Sequence, residues 1–345
     1  MFIVYGLQMI TKYINKVSAR VFYLLLPSLL LLSFSSCGLR KQATTESETQ
    51  TAVGPAFNAD SAYLFCQQQC DFGPRTMNSA AHDACEQWIA DKFTQYGMEV
   101  TRQKAVLQGY DGTPLRSTNI IASYRPELTS RILLCAHWDS RPWADNDPDE
   151  SNWHKPVLAA NDGASGVAVM LEIARLLPDT LAHGVDFICF DAEDYGHPQW
   201  ETAADPGNTW ALGSQHWAAN PHKSGYTARF GILLDMVGGQ GAQFYQESNS
   251  KHYAQNVVDK VWRAASVVGY GSFFPKQEGV GIIDDHISVN TVAHIPTIDI
   301  IPYYAACEES SFGPTWHTVN DDMAHLDRTT LQAVGQTLIQ VLFSE

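Results

Sequence analysis

Six side chains that could bind a metal ion or transfer a proton recur along this sequence, beside apolar runs or in a late loop. These residues are His137, Asp162, Glu193, Asp194, Asp235 and His317. Taken singly, an aspartate after a strand more often caps a helix or a turn. Carboxylate oxygens and imidazole nitrogens together are ligands that zinc favours. If the six converge in space, they can form a zinc centre.

The adjacent acids Glu193 and Asp194 are the strongest single signal in this set. Two neighbouring carboxylates repel each other unless a cation lies between them. Adjacent residues in an extended segment also point in opposite directions. One of the two can therefore bind a metal ion while the other faces a substrate as a general base.

The elements that must position these residues are visible as apolar runs. Segments 131–136, 185–190 and 230–234 have the length and composition of buried strands. A helical pattern over 163–177 begins directly after Asp162 and is stopped by Pro178. This alternation predicts a single α/β domain with a mainly parallel, mixed central sheet and helices on both faces. The carboxyl ends of such strands form the ligand crevice, where the candidate residues fall.

Charge narrows the classes of partner. The 345 residues include 37 acidic and 22 basic side chains, a net charge of −15, and 45% of the chain is hydrophobic. A nucleic-acid-binding surface would be basic, so we expect no nucleic-acid partner. An acidic cleft favours cationic ligands such as the α-ammonium group of a peptide, although the charge alone could simply keep an exported protein soluble.

The N-terminus has the pattern of a targeting segment. A basic stretch precedes an apolar run over 21–34, which is too short to span a membrane and leads to Cys37. We predict a lipoprotein-type signal peptide over 1–36, a flexible tether over 37–56 and a catalytic domain over 57–345. The true start is either Met1 or Met9. The expected location is the periplasm or cell envelope, with membrane contact only through lipid on Cys37, and we expect a monomer.

The remaining cysteines divide into two groups. Cys135 and Cys189 lie inside apolar strands, where buried free thiols are expected. Cys66, Cys70 and Cys85 could supply one disulfide in an oxidising compartment, and their pairing stays open.

Several motifs together resemble a known family. Ala-His-Trp-Asp-Ser over 136–140, Asn-Asp-Gly-Ala-Ser-Gly over 161–166, Asp-Ala-Glu-Asp over 191–194 and Leu-Leu-Asp-Met over 233–236 resemble the zinc-dependent exopeptidases of the M28 type. Phe-Gly-Pro-Arg over 72–75, Ile-Asp-Asp-His over 283–286 and Trp-His-Thr over 316–318 are similar to the type II glutaminyl cyclases within that fold. The resemblance runs from residue 57 to the C-terminus.

The resemblance implies a single zinc ion held by Asp162, Asp194 and His317. Glu193 would be the catalytic acid and base. Animal cyclases carry glutamate at the position of Asp194, so here the metal must lie closer to that strand.

Further roles follow from the same resemblance. Asp235 would bind the substrate's amine, and Asp284 would support the reacting amide by hydrogen bonding. His137 would be hydrogen-bonded within the site. Asp299 stands where animal enzymes carry a helper histidine, so that hydrogen-bond network must be rebuilt.

Aromatic residues would enclose the substrate. The resemblance implies that Trp316 forms one wall of the pocket. The second wall is assigned to Trp200, with Trp210 as the alternative.

These roles predict a glutaminyl-peptide cyclotransferase that acts on peptides and proteins with an N-terminal glutamine. The α-amine attacks the residue's own γ-carbonyl and ammonia leaves, so no water nucleophile is needed. The main alternative is a zinc aminopeptidase that binds two zinc ions. The ligands of the two ions would be His137, Asp162, Asp194, Asp235 and His317. A third possibility is a peptide-binding surface lipoprotein on an inactive exopeptidase fold, against which the intact Glu193 argues.

Overall fold

A mixed six-stranded sheet forms the centre of the computed structural model, which describes residues 51–202 and 208–345. The strands are β1 (Glu99–Gln108), β2 (Pro114–Tyr124), β3 (Arg131–His137), β4 (Gly184–Phe190), β5 (Gly231–Leu234) and β6 (Thr297–Ile300). They lie side by side in the order β1-β2-β4-β3-β5-β6. The last four in that order are parallel, whereas β2 is antiparallel to both β1 and β4. The predicted mainly parallel, mixed sheet is confirmed.

Seven α-helices surround this sheet in the described ranges. They are α1 (Ala59–Cys70), α2 (Ala80–Gln95), α3 (Ala164–Leu176), α4 (Leu212–Ala219), α5 (Ser248–Val267), α6 (Asp285–Thr291) and α7 (Arg328–Phe343). The larger core layer joins α1, α2, α3, α5 and α7 to one face of the sheet, and the smaller one joins α4 and α6 to the other. Helices therefore cover both faces, as predicted.

Strand β3 shows why the middle of a central strand is apolar. Ile132 and Leu134 enter the larger core layer, while Leu133 and Cys135 enter the smaller one. Successive side chains point to opposite faces, so a strand covered on both sides favours apolar residues at successive positions. All seven residues of β3 are buried, and its two polar residues, Arg131 and His137, stand at its ends.

Three further elements complete the picture. Helix α6 has no counterpart among the predicted elements, because its seven residues carry no helical apolar pattern. Strand β2 begins at Pro114, and its first half pairs with β1 as far as Gln108 opposite Pro114. Helix α2 is capped by Ser79, whose side chain accepts a hydrogen bond from the His82 backbone N–H.

The boundary of the packed domain also moves. The signal peptide, Cys37 and most of the proposed tether lie outside the described residues. Residues 51–56, which were assigned to the tether, pack along α7. Val53 N–H donates to Gln340 Oε1 at 2.8 Å, and Phe57 N–H donates to Gln336 Oε1 at 2.9 Å. Residues before 57 therefore take part in the packing of the domain, because α7 offers glutamine side chains that pair with this backbone.

All six cysteines in the described part of the chain are free thiols. Cys135 and Cys189 are fully buried, as predicted. Cys66, Cys70 and Cys85 are buried but not bridged. Within the described ranges, no helix combines the length and hydropathy needed to cross a membrane.

Candidate active site

The candidate site lies at the carboxyl edge of the parallel strands. His137 is the last residue of β3, Glu193 and Asp194 follow β4, and Asp235 follows β5 directly. Asp162 stands just before α3, which packs against β3. Since parallel strands end at the same edge, the topology itself brings these side chains together.

One potential metal site is formed by Asp162, Asp194 and His317, all buried. His317 Nε2 lies 3.2 Å from Asp194 Oδ1 and 3.5 Å from Asp162 Oδ2. Asp194 Oδ2 is buried and has no hydrogen-bond partner among the described residues. Two carboxylates that converge on one imidazole with an unpaired oxygen are a donor set that fits zinc.

A second group shares Asp162 with the first. His137 Nε2 lies 3.0 Å from Asp162 Oδ1 and 3.2 Å from Asp235 Oδ1. These three residues also have ligand atoms close enough together to hold a metal ion. The geometry therefore retains both the one-metal and the two-metal possibilities.

Three buried aspartates for which the sequence predicts no role hold these ligands in place. Asp139 accepts hydrogen bonds from the backbone N–H groups of Glu193 (3.1 Å) and Asp194 (3.2 Å). Asp321 accepts from the Asp162 N–H at 3.0 Å. Asp145 lies 3.5 Å from His317 Nδ1, on the side of the ring away from the ligand cluster. Such partners fix the orientation of metal ligands. Asp139 lies within a motif, whereas the other two had no sequence signal.

Three of the residues at the site edge adopt a left-handed backbone without being glycine. Ala192 before Glu193 has φ 52°, Met236 after Asp235 has φ 53°, and His317 itself has φ 54°. This region is disfavoured for residues with a Cβ, and such strain concentrates at functional sites. It turns the chain sharply at the point where a strand ends and the side chain enters the site.

Two tryptophans and a group of acids line a cavity of about 480 Å³ above the ligands. Its lining includes Glu193, Asp194, Trp210, Asp235, Asp284 and Trp316. The Trp316 ring stacks on His317 with centroids 3.8 Å apart, and the Trp210 ring is nearly parallel to His317 at 6.0 Å. The apolar residues Ile282, Ile301 and Phe312 complete the wall.

The structure replaces Trp200 by Trp210 at this wall. The Trp200 ring packs instead on His154 at 4.6 Å and on Trp143 at 5.8 Å, and it does not line the cavity. Gly196 explains the choice, because a Cβ there would lie 2.0 Å from the Trp210 ring. Only a residue without a side chain leaves room for that indole.

The other three residues that were predicted for the site lie at different distances from the cavity. Asp284 lines the cavity, and one of its oxygens, Oδ2, has no hydrogen-bond partner in the described structure. Asp299 is fully buried behind Asp284 and does not reach the cavity. His137 lies beneath Asp162 and Asp235 rather than in the wall.

In the metal-free protein the carboxyl groups have unequal proton affinities. Burial raises the pKa of Glu193 well above its usual range, and the neighbouring charge of Asp194 adds to this effect. Burial raises the pKa of Asp235 to about 7, although a hydrogen bond from His137 opposes it. Burial also acts on Asp162, but hydrogen bonding and attraction from His137 keep its pKa below the usual value. A bound cation would relieve the repulsion among these groups.

A mixed α/β sheet with such a centre at the carboxyl edge of its parallel strands is the architecture of zinc-dependent exopeptidases. The sequence profile of Peptidase family M28 matches residues 119–342. The chain belongs to this family.

Among characterised relatives, the chain is 27% identical over 260 residues to aminopeptidase YwaD of Bacillus subtilis (strain 168), covering 72% of this chain and 49% of that protein. It is 25% identical over 248 residues to glutaminyl-peptide cyclotransferase of Bos taurus, covering 64% of each. The chain thus spans about half to under two thirds of the length of these relatives.

Solved structures are more similar. A glutaminyl cyclase from Bacteroides thetaiotaomicron bound to N-acetylhistamine is 52% identical, with TM-score 0.83, covering 85% of this chain and 100% of that one. A structure described as a leucine aminopeptidase precursor from the same species is 51% identical, with TM-score 0.82, covering 86% of this chain and 100% of that one. Both the cyclase and the peptidase functions therefore occur among proteins similar to this chain.

Proposed function

We propose that this protein is a zinc-dependent glutaminyl-peptide cyclotransferase, which converts an N-terminal glutamine of peptides and proteins to pyroglutamate and releases ammonia. The observation that carries the proposal is the cavity, where Glu193, Asp235 and Asp284 surround the ligand cluster between two tryptophan rings. This arrangement offers separate groups for an amine, an amide and a proton in one enclosed space. The similarity to a glutaminyl cyclase over the whole chain of its solved structure supports it.

Asp162, Asp194 and His317 would hold one zinc ion. When bound, zinc supplies a Lewis acid that polarises the γ-carbonyl of the substrate glutamine. Asp145 behind His317 and Asp139 behind the Asp194 backbone keep the ligands oriented.

The side chains of this protein do the remaining work. Asp235 accepts a hydrogen bond from the substrate's α-amino group, which attacks as the neutral amine, and Asp284 accepts a hydrogen bond from the γ-amide through its free oxygen. Glu193 takes a proton from the attacking amine and returns it to the departing ammonia. Because amine and carbonyl belong to the same residue, holding the side chain folded supplies much of the rate acceleration.

Trp210 and Trp316 enclose the folded glutamine. Aromatic walls contribute buried area at a small cost in conformational entropy, and they exclude water that would compete with the amine. Both rings flank His317, so they would stand next to the reacting carbonyl of a bound substrate.

A zinc aminopeptidase is the second candidate, and a specific observation favours it. His137, Asp162 and Asp235 form a second cluster of ligand type that shares Asp162 with the first. In a two-metal enzyme Asp162 would bridge the ions and Glu193 would activate water. Asp235 would then ligate metal and be unable to receive the substrate's amine.

Incubating the purified protein with glutamine-initiated and leucine-initiated peptides and weighing the products would separate the two. We expect loss of ammonia from the first peptide and no change in the second. Release of a free N-terminal residue would favour the aminopeptidase. Metal content gives an independent measurement, with one zinc per chain expected. Two fully occupied sites about 3.5–4 Å apart in anomalous diffraction would overturn the one-metal proposal.

We also propose that the chain is exported and anchored through lipid on Cys37. Mass spectrometry of protein from the native envelope would detect the lipid. A Cys37→Ser variant that stays in the membrane fraction would contradict this anchor.

A further inference from the structure

A second group of buried ionisable residues lies behind the cavity wall, outside the candidate zinc site. Its members are Glu247 at the start of α5, Asp284 and His286 at the start of α6, and Asp299 in β6. One oxygen each of Asp284 and Asp299 and one nitrogen of His286 lie within 4.8 Å of one another. Each of the four side chains is at most 5% exposed.

Glu247 contacts the chain on both sides of Asp284. Its Oε1 accepts a hydrogen bond from the Ile282 N–H at 2.9 Å, two residues before Asp284. Its Oε2 faces His286 Nε2 at 3.4 Å, two residues after Asp284. The same carboxylate caps α5 by accepting from the Asn249 N–H at 2.8 Å. One side chain thus ties the segment 282–286 to the first turn of a long helix.

The His286 ring lies between two carboxylates. Its Nε2 faces Glu247, and its Nδ1 lies 4.0 Å from Asp299 Oδ2. Asp299 is in turn fixed to α5, because its backbone N–H donates to Ser250 Oγ at 2.9 Å. The ring therefore fills the space directly behind the segment that carries Asp284 into the cavity.

We propose that Glu247 and His286 are positioning residues that act as a pair on Asp284, and that they thereby fix the cavity-facing carboxylate that binds the substrate's amide. This inference depends on the proposed function. Asp284 Oδ1 caps α6 by accepting a hydrogen bond from the Asp285 N–H, while Oδ2 has no partner among the described residues. The direction of this carboxylate therefore depends on the segment that Glu247 contacts at the Ile282 backbone and at the His286 ring. The charge state agrees with this role: burial acts against ionisation of Glu247, but attraction from His286 and hydrogen bonds from Ser250 and Asn249 lower its pKa to about 2.

The test uses the full-length protein and a double-mutant cycle. Glu247→Gln keeps the size of the side chain and one acceptor oxygen but loses the charge opposite His286. We expect kcat/KM for a glutamine-initiated peptide to fall roughly ten- to a hundredfold, as for other groups that act through a neighbour, with zinc content unchanged. His286→Gln should cause a similar loss, and the double variant should be little worse than either single one.

The second cycle pairs Glu247→Gln with Asp284→Asn. If Glu247 acts through Asp284, its replacement should cost almost nothing further once that carboxylate is gone. Glu172→Gln is the matched control, because Glu172 is also fully buried and paired, with Arg175, but lies on α3 away from this group. The control should retain wild-type kcat/KM.

The outcomes are distinct. An inactive wild-type protein would overturn the proposed function and this inference with it. An active wild type whose Glu247→Gln and His286→Gln variants are equally active would overturn the inference alone. Losses that multiply in both cycles, or that equal those of Glu172→Gln, would indicate general loosening of the fold instead. A second metal ion that is lost in His286→Gln would show that the group binds a cation, which also overturns the inference.

Discussion

The two sides of the cavity are built differently. On one side, Glu193, Asp194 and Asp235 project from the ends of β4 and β5, with His137 at the end of β3 beneath them. On the other, Trp210, Asp284 and Trp316 come from long connections between β4 and α4, α5 and α6, and β6 and α7. The first we call the strand side and the second the loop side.

The strand side is fixed by the sheet, whereas the loop side is fixed by individual side chains. Ladder hydrogen bonds between β3, β4 and β5 set the positions of the strand ends. The loop side depends on contacts such as Gly196 beneath Trp210 and Glu247 beside Ile282. We therefore expect changes on the strand side to remove chemistry or metal, and changes on the loop side to weaken substrate binding first.

The largest effect is expected for Glu193→Gln on the strand side. The variant keeps the size and hydrogen-bonding capacity of the side chain but cannot carry a proton. Turnover should fall roughly 10²–10⁴-fold, the usual contribution of a general acid or base. Zinc should be retained, since Glu193 is not among the proposed ligands. Near-normal turnover would remove Glu193 from its role, and loss of zinc would make it a ligand.

Asp139→Asn should have the next largest effect, because it disturbs two strand-side residues at once. An amide nitrogen would face an N–H of Glu193 or Asp194, where a carboxylate oxygen now accepts it. We expect metal affinity and kcat/KM to fall together by roughly 10–100-fold. Zinc titration and kinetics on the same preparation measure both. A fall in kcat/KM with unchanged zinc affinity would contradict the shared support.

The same division explains what the sequence could predict. The residues of the strand side could be predicted, because they follow apolar runs that read as strands. The carboxyl ends of parallel strands lie at the same edge of the sheet, so residues that follow these strands come together in the fold. Trp210 was not preferred to Trp200, because the choice depends on space above Gly196, which no pattern in the chain reports. Helix α6 and the contacts of Glu247 also escaped prediction, since both depend on neighbours distant in sequence.

On the loop side, Trp316→Ala should weaken substrate binding more than metal binding. Trp316 is half-buried, and the area that its ring would cover on the substrate is worth about 1.5 kcal/mol, so KM should rise about tenfold. The zinc content should stay at the wild-type level. Lost zinc with an unchanged KM would show that Trp316 serves His317, on which its ring stacks, rather than the substrate.

The smallest effects are expected from the pair Trp210→Ala and Trp200→Ala, which tests the corrected wall directly. The Trp210 ring lines the cavity, and its centroid is 6.0 Å from that of His317. The guanidinium carbon of Arg141 lies over the same ring, 4.6 Å from its centroid. Loss of the Trp210 ring should raise KM several-fold, less than loss of the Trp316 ring, because the Trp210 ring stands further from the His317 imidazole.

Trp200 packs on Trp143 and His154, outside the cavity, so its loss should change KM by less than twofold, on the order of an ordinary surface substitution. Michaelis constants for one glutamine-initiated peptide, measured side by side, decide between them. A larger rise in Trp200→Ala than in Trp210→Ala would restore the wall that the sequence alone suggested, and would mean that the loop side rearranges when substrate binds.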